Sequence, residues 1–588
     1  MEARSVWLRA VAVGFTAALT LAACAPSGPA ATSPAAPATT TPIAAPLRGA
    51  GGELKILYWQ AVTVLNTHHG QGTKDYDGGR LVLEPMGAMG PNGQPVAVLA
   101  KEVPTVANGG VAKDFTSVTW KLKEGVKWAD GTEFTSADVT FTFKYQMDKD
   151  TGSTDSFVGE GVKSVEAVDK YTVKVTYAEA NPNFYQWGVS GYGNILQEKQ
   201  YKDFIGAKAK DGPKIPVGTG PYKVKEFKPD DVVTYEINEN YRDPNKPFFK
   251  TVQLKGGGDA TSAARAVFQT GESDYSWNLQ VEATVLKPMI EASDSKGVFV
   301  SAVSANVERL LVNRTNPDPA LGDKRGEPDT QHPFLSDLKV RQALAMAIDK
   351  KPIADLYGGG LAGEGTCNIV SGVPEYSSPN TAGLSVCKFD LAAANKLLDE
   401  AGWAKGADGI RAKGGVKMAI LYQTTVNPLR QKEQAIVKDG WEKLGIKVEL
   451  KSVTGGVFFG REGNDTASRF FADIEMFTNG AESPDPTNYL AGWRCNEIKT
   501  KAANWSGSNY ERWCNKDYDT MHDQLKRETD PAKRKDLILK MNDLLISDVV
   551  IIPLVARKSP VSGVSKQLKG IIPNGWDSEM WNIADWKK

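Results

Sequence analysis

Trp120-Lys121-Leu122-Lys123-Glu124-Gly125-Val126-Lys127-Trp128-Ala129-Asp130-Gly131-Thr132-Glu133-Phe134-Thr135-Ser136-Ala137-Asp138-Val139 is the stretch from which the fold can be read. Val118 to Leu122 alternates apolar and polar residues, the pattern of a strand with one buried face. Gly125 and the Asp130-Gly131 pair mark turns, since glycine enters the left-handed backbone region at no steric cost. Thr135 or Ser136 then caps a helix running on through Val139, Phe143 and Met147. Strand, turns and capped helix in this order predict a mixed α/β chain.

The same grammar extends in both directions. Leu54 to Trp59 reads as a buried strand, and Tyr171 to Tyr177 alternates strictly. Val232 to Ile237 is a further strand, preceded by a tight Gly218-Thr219-Gly220-Pro221 turn. In the second half, Ser336 is expected to cap a helix with Val340, Leu344, Ala347 and Ile348 on one face. Asp390 caps another, closed by Gly402. Asn427-Pro428 and Asp530-Pro531 each pair a cap with a proline at the first helical position. The helix from Pro428 leads into the strand Ile446–Leu450, and the helix from Pro531 into Val549–Leu554. Helix-then-strand units of this kind indicate an α/β domain. No internal repeat is visible.

At 588 residues the chain exceeds what one core can organise. Lys plus Arg is 70 and Asp plus Glu is 70. Setting aside Arg4, Arg9 and Glu2 leaves 68 against 69, which gives no electrostatic footprint for nucleic acid. Fourteen Trp and eighteen Tyr supply core, and also candidate ligand-binding walls with a polar handle.

Arg4 and Arg9 precede an apolar run, Ala10 to Ala23, that ends in Leu21-Ala22-Ala23-Cys24. The run falls short of the ~20 residues a membrane span needs. It resembles a bacterial lipoprotein signal, in which Cys24 becomes lipidated and is the first mature residue. Residues 24–51, rich in Ala, Pro and Thr, read as a tether. The expected location is outside the cytoplasm, anchored to the membrane: the periplasm or the outer face of the cytoplasmic membrane.

Four cysteines remain, in an exported chain where disulfides are expected. Of three connectivities the local one is preferred, Cys367 with Cys387 and Cys495 with Cys514. Each would close a loop of about 20 residues, worth on the order of 3 kcal/mol. A metal site is disfavoured, because no C-x-x-C occurs and the histidines are only His68, His69, His332 and His522. There is no H-E-x-x-H, G-x-S-x-G or Walker-type loop, so no enzyme activity, cofactor or metal is expected.

Several segments together resemble the extracytoplasmic solute-binding proteins of ABC importers, bacterial family 5. These are Trp120–Val139; Val217-Gly218-Thr219-Gly220-Pro221-Tyr222 with Asn238-Glu239-Asn240-Tyr241; Val340–Lys350; Leu397–Trp403; and Leu444–Val448. Asp485-Pro486-Thr487-Asn488-Tyr489-Leu490 before Cys495, and Gly507–Cys514 after it, resemble the dipeptide- and oligopeptide-binding branch, in which two such cysteines are bridged. The resemblance implies a two-lobed periplasmic-binding-protein-like fold, class II with an extra subdomain. Mixed sheets are flanked by helices, and the ligand cleft lies between the lobes.

It further implies a signal peptide at 1–23, the tether at 24–51, a first lobe at 52–305 with a subdomain at about 85–214, a second lobe at 306–556, and a return to the first lobe at 557–588. The expected partners are a peptide or related small solute, the ABC permease transmembrane subunits, and the membrane through the lipid; the chain is expected to be a monomer.

In that branch an acidic residue three positions before the Asp-Pro pair binds the peptide ammonium, and Glu482 holds the matching place. The bland alternative is a solvated loop Glu. An arginine that fixes the ligand carboxylate in dipeptide-selective members aligns near Thr424, so strict dipeptide selectivity is not expected; Arg430 lies nearby but inside a helix. Tyr58, Trp59, Trp277, Asn278 and Asp485 are the other candidate ligand contacts, with core packing the alternative for Trp277. Trp493 and Trp505 flank the cysteine loop. Rival ligands are an oligosaccharide or opine-like sugar conjugate, and nickel or a chelated metal, for which His68-His69 is the cue.

Overall fold

The computed structural model describes residues 47–588 except 71, 461, 462 and 482. The leader, Cys24, the tether as far as residue 46, and Glu482 therefore lie outside the described residues. Residues 47–51, expected as the end of the tether, are tied to the body. Arg48, the only charge in that tract, donates to the carbonyls of Lys246 at 2.7 Å, Tyr241 at 2.8 Å and Glu239 at 3.2 Å.

One sheet of eleven strands runs through the described chain. Its strands are β1 (Glu53–Tyr58), β2 (Tyr222–Lys228), β3 (Val232–Ile237), β4 (Thr251–Gly256), β5 (Tyr275–Trp277), β6 (Gly297–Val312), β7 (Gly363–Gly365), β8 (Ala419–Thr425), β9 (Lys447–Val453), β10 (Ile474–Asn479) and β11 (Ile551–Ser565). The spatial order is β9-β8-β10-β6-β11-β5-β1-β4-β3-β2, with β7 paired to β11 off this path. β1 runs parallel to β4 and β5, and β8 parallel to β9 and β10. The long antiparallel pair β6–β11 joins these two halves, and its register shifts between Ser301 and Val307. β11 runs well past the apolar Val549–Leu554 run, through Arg557 and Lys558. Backbone pairing to β6 and β5 carries it onward, not side-chain apolarity.

Three main cores surround this frame. One is built from residues 307–555, including Leu344, Trp441 and Met541. A second gathers Leu54, Tyr58, Tyr235 and Trp277 with Met580 and Trp586 of the C-terminal segment. The third holds Trp120, Trp128 and Trp187 beneath the three-stranded sheet 117–121, 172–177, 162–169.

Helix α1 (Ser136–Met147) starts with a capping box between Thr135 and Asp138. Its buried side differs from the expected Val139–Phe143–Met147 stripe. Val139 is fully buried, but Met147 is exposed, while Phe141, Thr142, Tyr145 and Gln146 are buried. The helix is covered on two sides: Phe141 and Tyr145 pack on Leu196 and Tyr201, away from the sheet side. The helix α2 (Leu338–Met346) is capped by Asp337, whose carboxylate accepts from Lys339 N, and not by Ser336. The Ser336 hydroxyl instead donates to the His332 carbonyl at 2.7 Å. Asp390, Asn427 and Asp530 cap α3 (Leu391–Glu400), α4 (Pro428–Lys443) and α5 (Pro531–Ser547) as expected. The Gly218 turn is glycine for want of space, since a Cβ there would lie 1.9 Å from the Val82 carbonyl oxygen.

Candidate functional site

A cavity of about 330 Å³ opens between two walls, within the size range of ligand pockets. One wall comes from residues 157–192, with Phe157, Tyr185 and Tyr192, and from Trp576 of the C-terminal segment. The other comes from residues 479–511, with Tyr489, Trp493 and Tyr510, and from Arg309 on β6. A second hollow of about 330 Å³ shares Glu160, Asn183, Gln186 and Asn488 with the first. The Arg527–Glu179 ion pair, 3.0 Å, lies in the lining of the second hollow.

The second wall starts where β10 ends. A Cβ on Gly480 would meet the Ala305 carbonyl oxygen at 2.2 Å, so the chain can pass there only as glycine. Asp485 then anchors the next turn: its Oδ1 accepts from the Thr487 N at 2.9 Å, and its other oxygen pairs with the buried Arg534. Asp485 thus lines the cavity with its carboxylate already engaged.

Cys495 and Cys514 are bridged, with Cα atoms 4.6 Å apart, and Cys367 is bridged to Cys387. The Cys495–Cys514 loop presents Glu497, Ser508, Tyr510 and Glu511 to the cavity. Burial pushes the Glu511 carboxyl up to about 7, with Arg309 and Trp493 pulling the other way. Tyr489 and Trp493 meet edge to face at 5.2 Å. Trp505 does not line the cavity; it sits edge-on to Phe471 at 5.5 Å.

Tyr58, Trp59, Trp277 and Asn278 form a separate group, none of them lining the cavity. Tyr58 and Trp277 are buried and stacked, with ring centroids 4.8 Å apart and planes 7° apart. Period-two alternation from the ends of β1 and β5 turns both rings into the core. The Tyr58 hydroxyl donates to Asp77 at 2.9 Å, and the half-buried Trp59 indole donates to the Asn278 carbonyl at 2.8 Å. Two residues beyond, Gln280 accepts from Asn427 at 3.1 Å, and Glu282 pairs with Lys432. This segment therefore braces the start of α4.

At the place aligned with a carboxylate-binding arginine, Thr424 is fully buried and donates to the Met476 carbonyl at 2.8 Å. Arg430 is committed to Glu308 at 2.9 Å and to Thr425 at 2.8 Å. Glu308 also takes Arg557 at 3.2 Å. Burial alone would raise its carboxyl, but the two guanidinium groups hold it down to about 2.

His68 is buried, with Nδ1 2.9 Å from Asp155 and Nε2 2.9 Å from the Asn194 carbonyl. Both partners accept, so both ring nitrogens donate and no lone pair is left for a metal. Burial opposes that charge, yet Asp155 and the carbonyl raise the imidazole's pKa. His69 meets the Tyr145 hydroxyl at 2.7 Å. Among the described residues no cluster of three or more His, Cys, Asp or Glu could hold a metal ion.

The residue missed by sequence reasoning is Arg309. It is 3% exposed, and its guanidinium lies 5.2 Å from the Phe477 ring centre, 5.8 Å from Tyr489 and 6.0 Å from Trp493. Nothing local marks it, since the aromatics around it come from residues 477–493.

Residues 94–501 match the family described as bacterial extracellular solute-binding proteins, family 5, middle region. Di/tripeptide-binding protein 1 of Pseudomonas aeruginosa is 25% identical over 467 residues, covering 76% of this chain and 78% of that protein. Two solved structures share the fold. NikZ from Campylobacter jejuni, in complex with Ni(L-His), superposes with a TM-score of 0.73 at 22% identity, over 91% of this chain and 99% of that one. The oligopeptide-binding protein AppA from Bacillus subtilis, in complex with a nonapeptide, gives 0.72 at 21% identity, over 92% and 99%.

Proposed function

Because the chain belongs to the bacterial extracellular solute-binding proteins of family 5, we propose that it captures peptides outside the cytoplasm and delivers them to the transmembrane subunits of an ABC importer. The observation that carries this reading is the aromatic-walled cavity between residues 157–192 and 479–511, continuous in its lining with a second hollow. Such a shape suits an extended ligand: rings bury side chains, and buried polar groups fix the backbone ends. Di/tripeptide binding by the Pseudomonas relative supports the same ligand class.

The lobes are 52–305, with the subdomain 85–214, and 306–556, with the tail 557–588 returning to the first. The irregular register of β6 and β11 between Ser301 and Val307 supports a hinge there. Ligand favours the state in which both walls contact it, and that differential binding is what an importer reads. Glu482 contacts the peptide ammonium. Cys24 carries the lipid, and the tether keeps the receptor at high local concentration beside its permease.

Mass spectrometry of solute released on unfolding the purified protein is expected to find peptides, and a library of di- to pentapeptides is expected to raise its melting temperature. Glu482→Ala should abolish most of that rise. If sugar conjugates or metal chelates stabilise the protein and no peptide does, the ligand assignment is wrong.

A further inference from the structure

We propose that Arg309 is the seat of an anionic group of the ligand, a carboxylate, at the floor of the aromatic cavity. This rests on the peptide reading above and names the end of the ligand that the cavity recognises. A guanidinium taken out of water needs a charged or multiply hydrogen-bonded partner. Arg309 is 3% exposed and donates one hydrogen bond, from Nη1 to the Tyr489 hydroxyl at 2.9 Å. Its Nε is buried without a partner, and no carboxylate among the described residues lies within ion-pair distance of it.

Two other buried arginines of this chain are saturated, whereas Arg80 shares the unpartnered Nε but does not line the cavity. Arg341 gives its fork to Asp548 and to the carbonyls of Leu335 and Ser336. Arg411 is held by Asp399, Asn395 and the Leu444 carbonyl. Arg309 alone among these four faces a ligand cavity.

The rings of Phe477, Tyr489 and Trp493 flank the guanidinium, and Tyr489 and Trp493 also line the cavity. They hold it in place and keep water from its faces while leaving its hydrogen-bonding edge without a protein counter-ion. Glu511 interacts with it electrostatically, but burial pushes that carboxyl up to about 7, so it supplies only a partial counter-charge at neutral pH. The remaining acids of the lining do not supply it either: Asp485 is taken by Arg534, and Glu160 and Glu497 form no ion pair with Arg309. A planar carboxylate can accept two parallel N–H bonds from such a fork.

The test uses the full protein, freed of bound solute by unfolding and refolding, with two probes: a tri- to pentapeptide library as free acids and the same library C-terminally amidated. Calorimetry on the wild type should show the free acids bound tighter by on the order of tenfold or more, the scale of one charge-assisted contact. Arg309→Met should bring the two libraries within about twofold, while Arg309→Lys, which keeps the charge without the fork, should fall between them.

Without ligand, Arg309→Met should melt at or above the wild-type temperature, because it removes an unsatisfied buried charge. Equal binding of both libraries by the wild type overturns the assignment and leaves the peptide reading standing. A ligand-free Arg309→Met that melts well below wild type, or does not fold, overturns it too, since the guanidinium is then a structural part. If neither library binds the wild type, the peptide reading fails, and the ligand-free comparison alone decides the role of Arg309.

Discussion

Glu308→Gln tests how the site's supporting frame is held. Glu308 lies fully buried on β6 and receives Arg430 of α4 at 2.9 Å and Arg557 of β11 at 3.2 Å, as well as the Thr478 hydroxyl of β10. One carboxylate thus ties three strands to the helix that starts beside the expected cleft. Glutamine keeps the shape but leaves two buried guanidinium groups without a counter-ion. Breaking one side of a buried ion pair costs about 3–5 kcal/mol. The lowered carboxyl gives a second figure. Lowering a carboxyl from 4.5 to about 2 corresponds to about 3 kcal/mol of native-state preference for the ionised form.

The folded pKa lies below the unfolded one. This stability is therefore complete above about pH 5 and is lost as pH falls toward 2, with about 2 kcal/mol gone by pH 3. Urea unfolding of wild type and Glu308→Gln, followed by tryptophan fluorescence from pH 7 to pH 3, is expected to show a gap of about 3 kcal/mol that narrows in acid. A gap of equal size at both ends, or one below about 0.5 kcal/mol at pH 7, would refute the reasoning.

Three further outcomes are expected. Replacing Cys495 and Cys514 by serine opens a loop of sequence separation 19 and should cost about 3 kcal/mol in denaturant titrations, together with a loss of peptide affinity, because Tyr510 and Glu511 are carried by that loop. Glu579 is pushed up to about 8 by burial and by repulsion from Asp77. The folded chain thus holds a proton that the unfolded chain has released, and melting temperature should fall from pH 5 to pH 8; Glu579→Gln should flatten that slope, and an unchanged slope counts against it. Gly480→Ala forces a Cβ to within 2.2 Å of the Ala305 carbonyl oxygen and should destabilise by about 1–3 kcal/mol while weakening ligand binding; a neutral effect on both would mean the 480–485 turn is not a fixed wall.

Local chemistry was legible wherever it acts over a few residues. Asp390, Asn427 and Asp530 cap helices because a short acceptor side chain reaches the free N–H groups next to it in sequence. The strands at residues 172, 232 and 447 follow from alternation, the strand at residue 54 from its apolar run, and the cysteine pairing from compartment and proximity. Ser336 and Met147 were misplaced because two acceptors compete for one cap and because α1 is covered on two sides. Tyr58 and Trp277 look like cleft aromatics in a linear reading, yet the parallel pairing of β1 and β5 stacks them on each other inside the core.

The sequence by itself determined the class of chain, its family, its helix caps and its covalent staples, since these depend on neighbours along the backbone. Only the tertiary structure decided the site, and Glu308 and Arg309 show why. They are adjacent on β6, where the register of β6 against β11 shifts between them. Side chains on a strand alternate between its two faces. Glu308 therefore joins Arg430 and Arg557, while Arg309 joins the rings of residues 477–493 at the cavity. Their partners lie more than a hundred residues away, so folding, not local sequence, separates a frame carboxylate that is paired from a cavity guanidinium that is not.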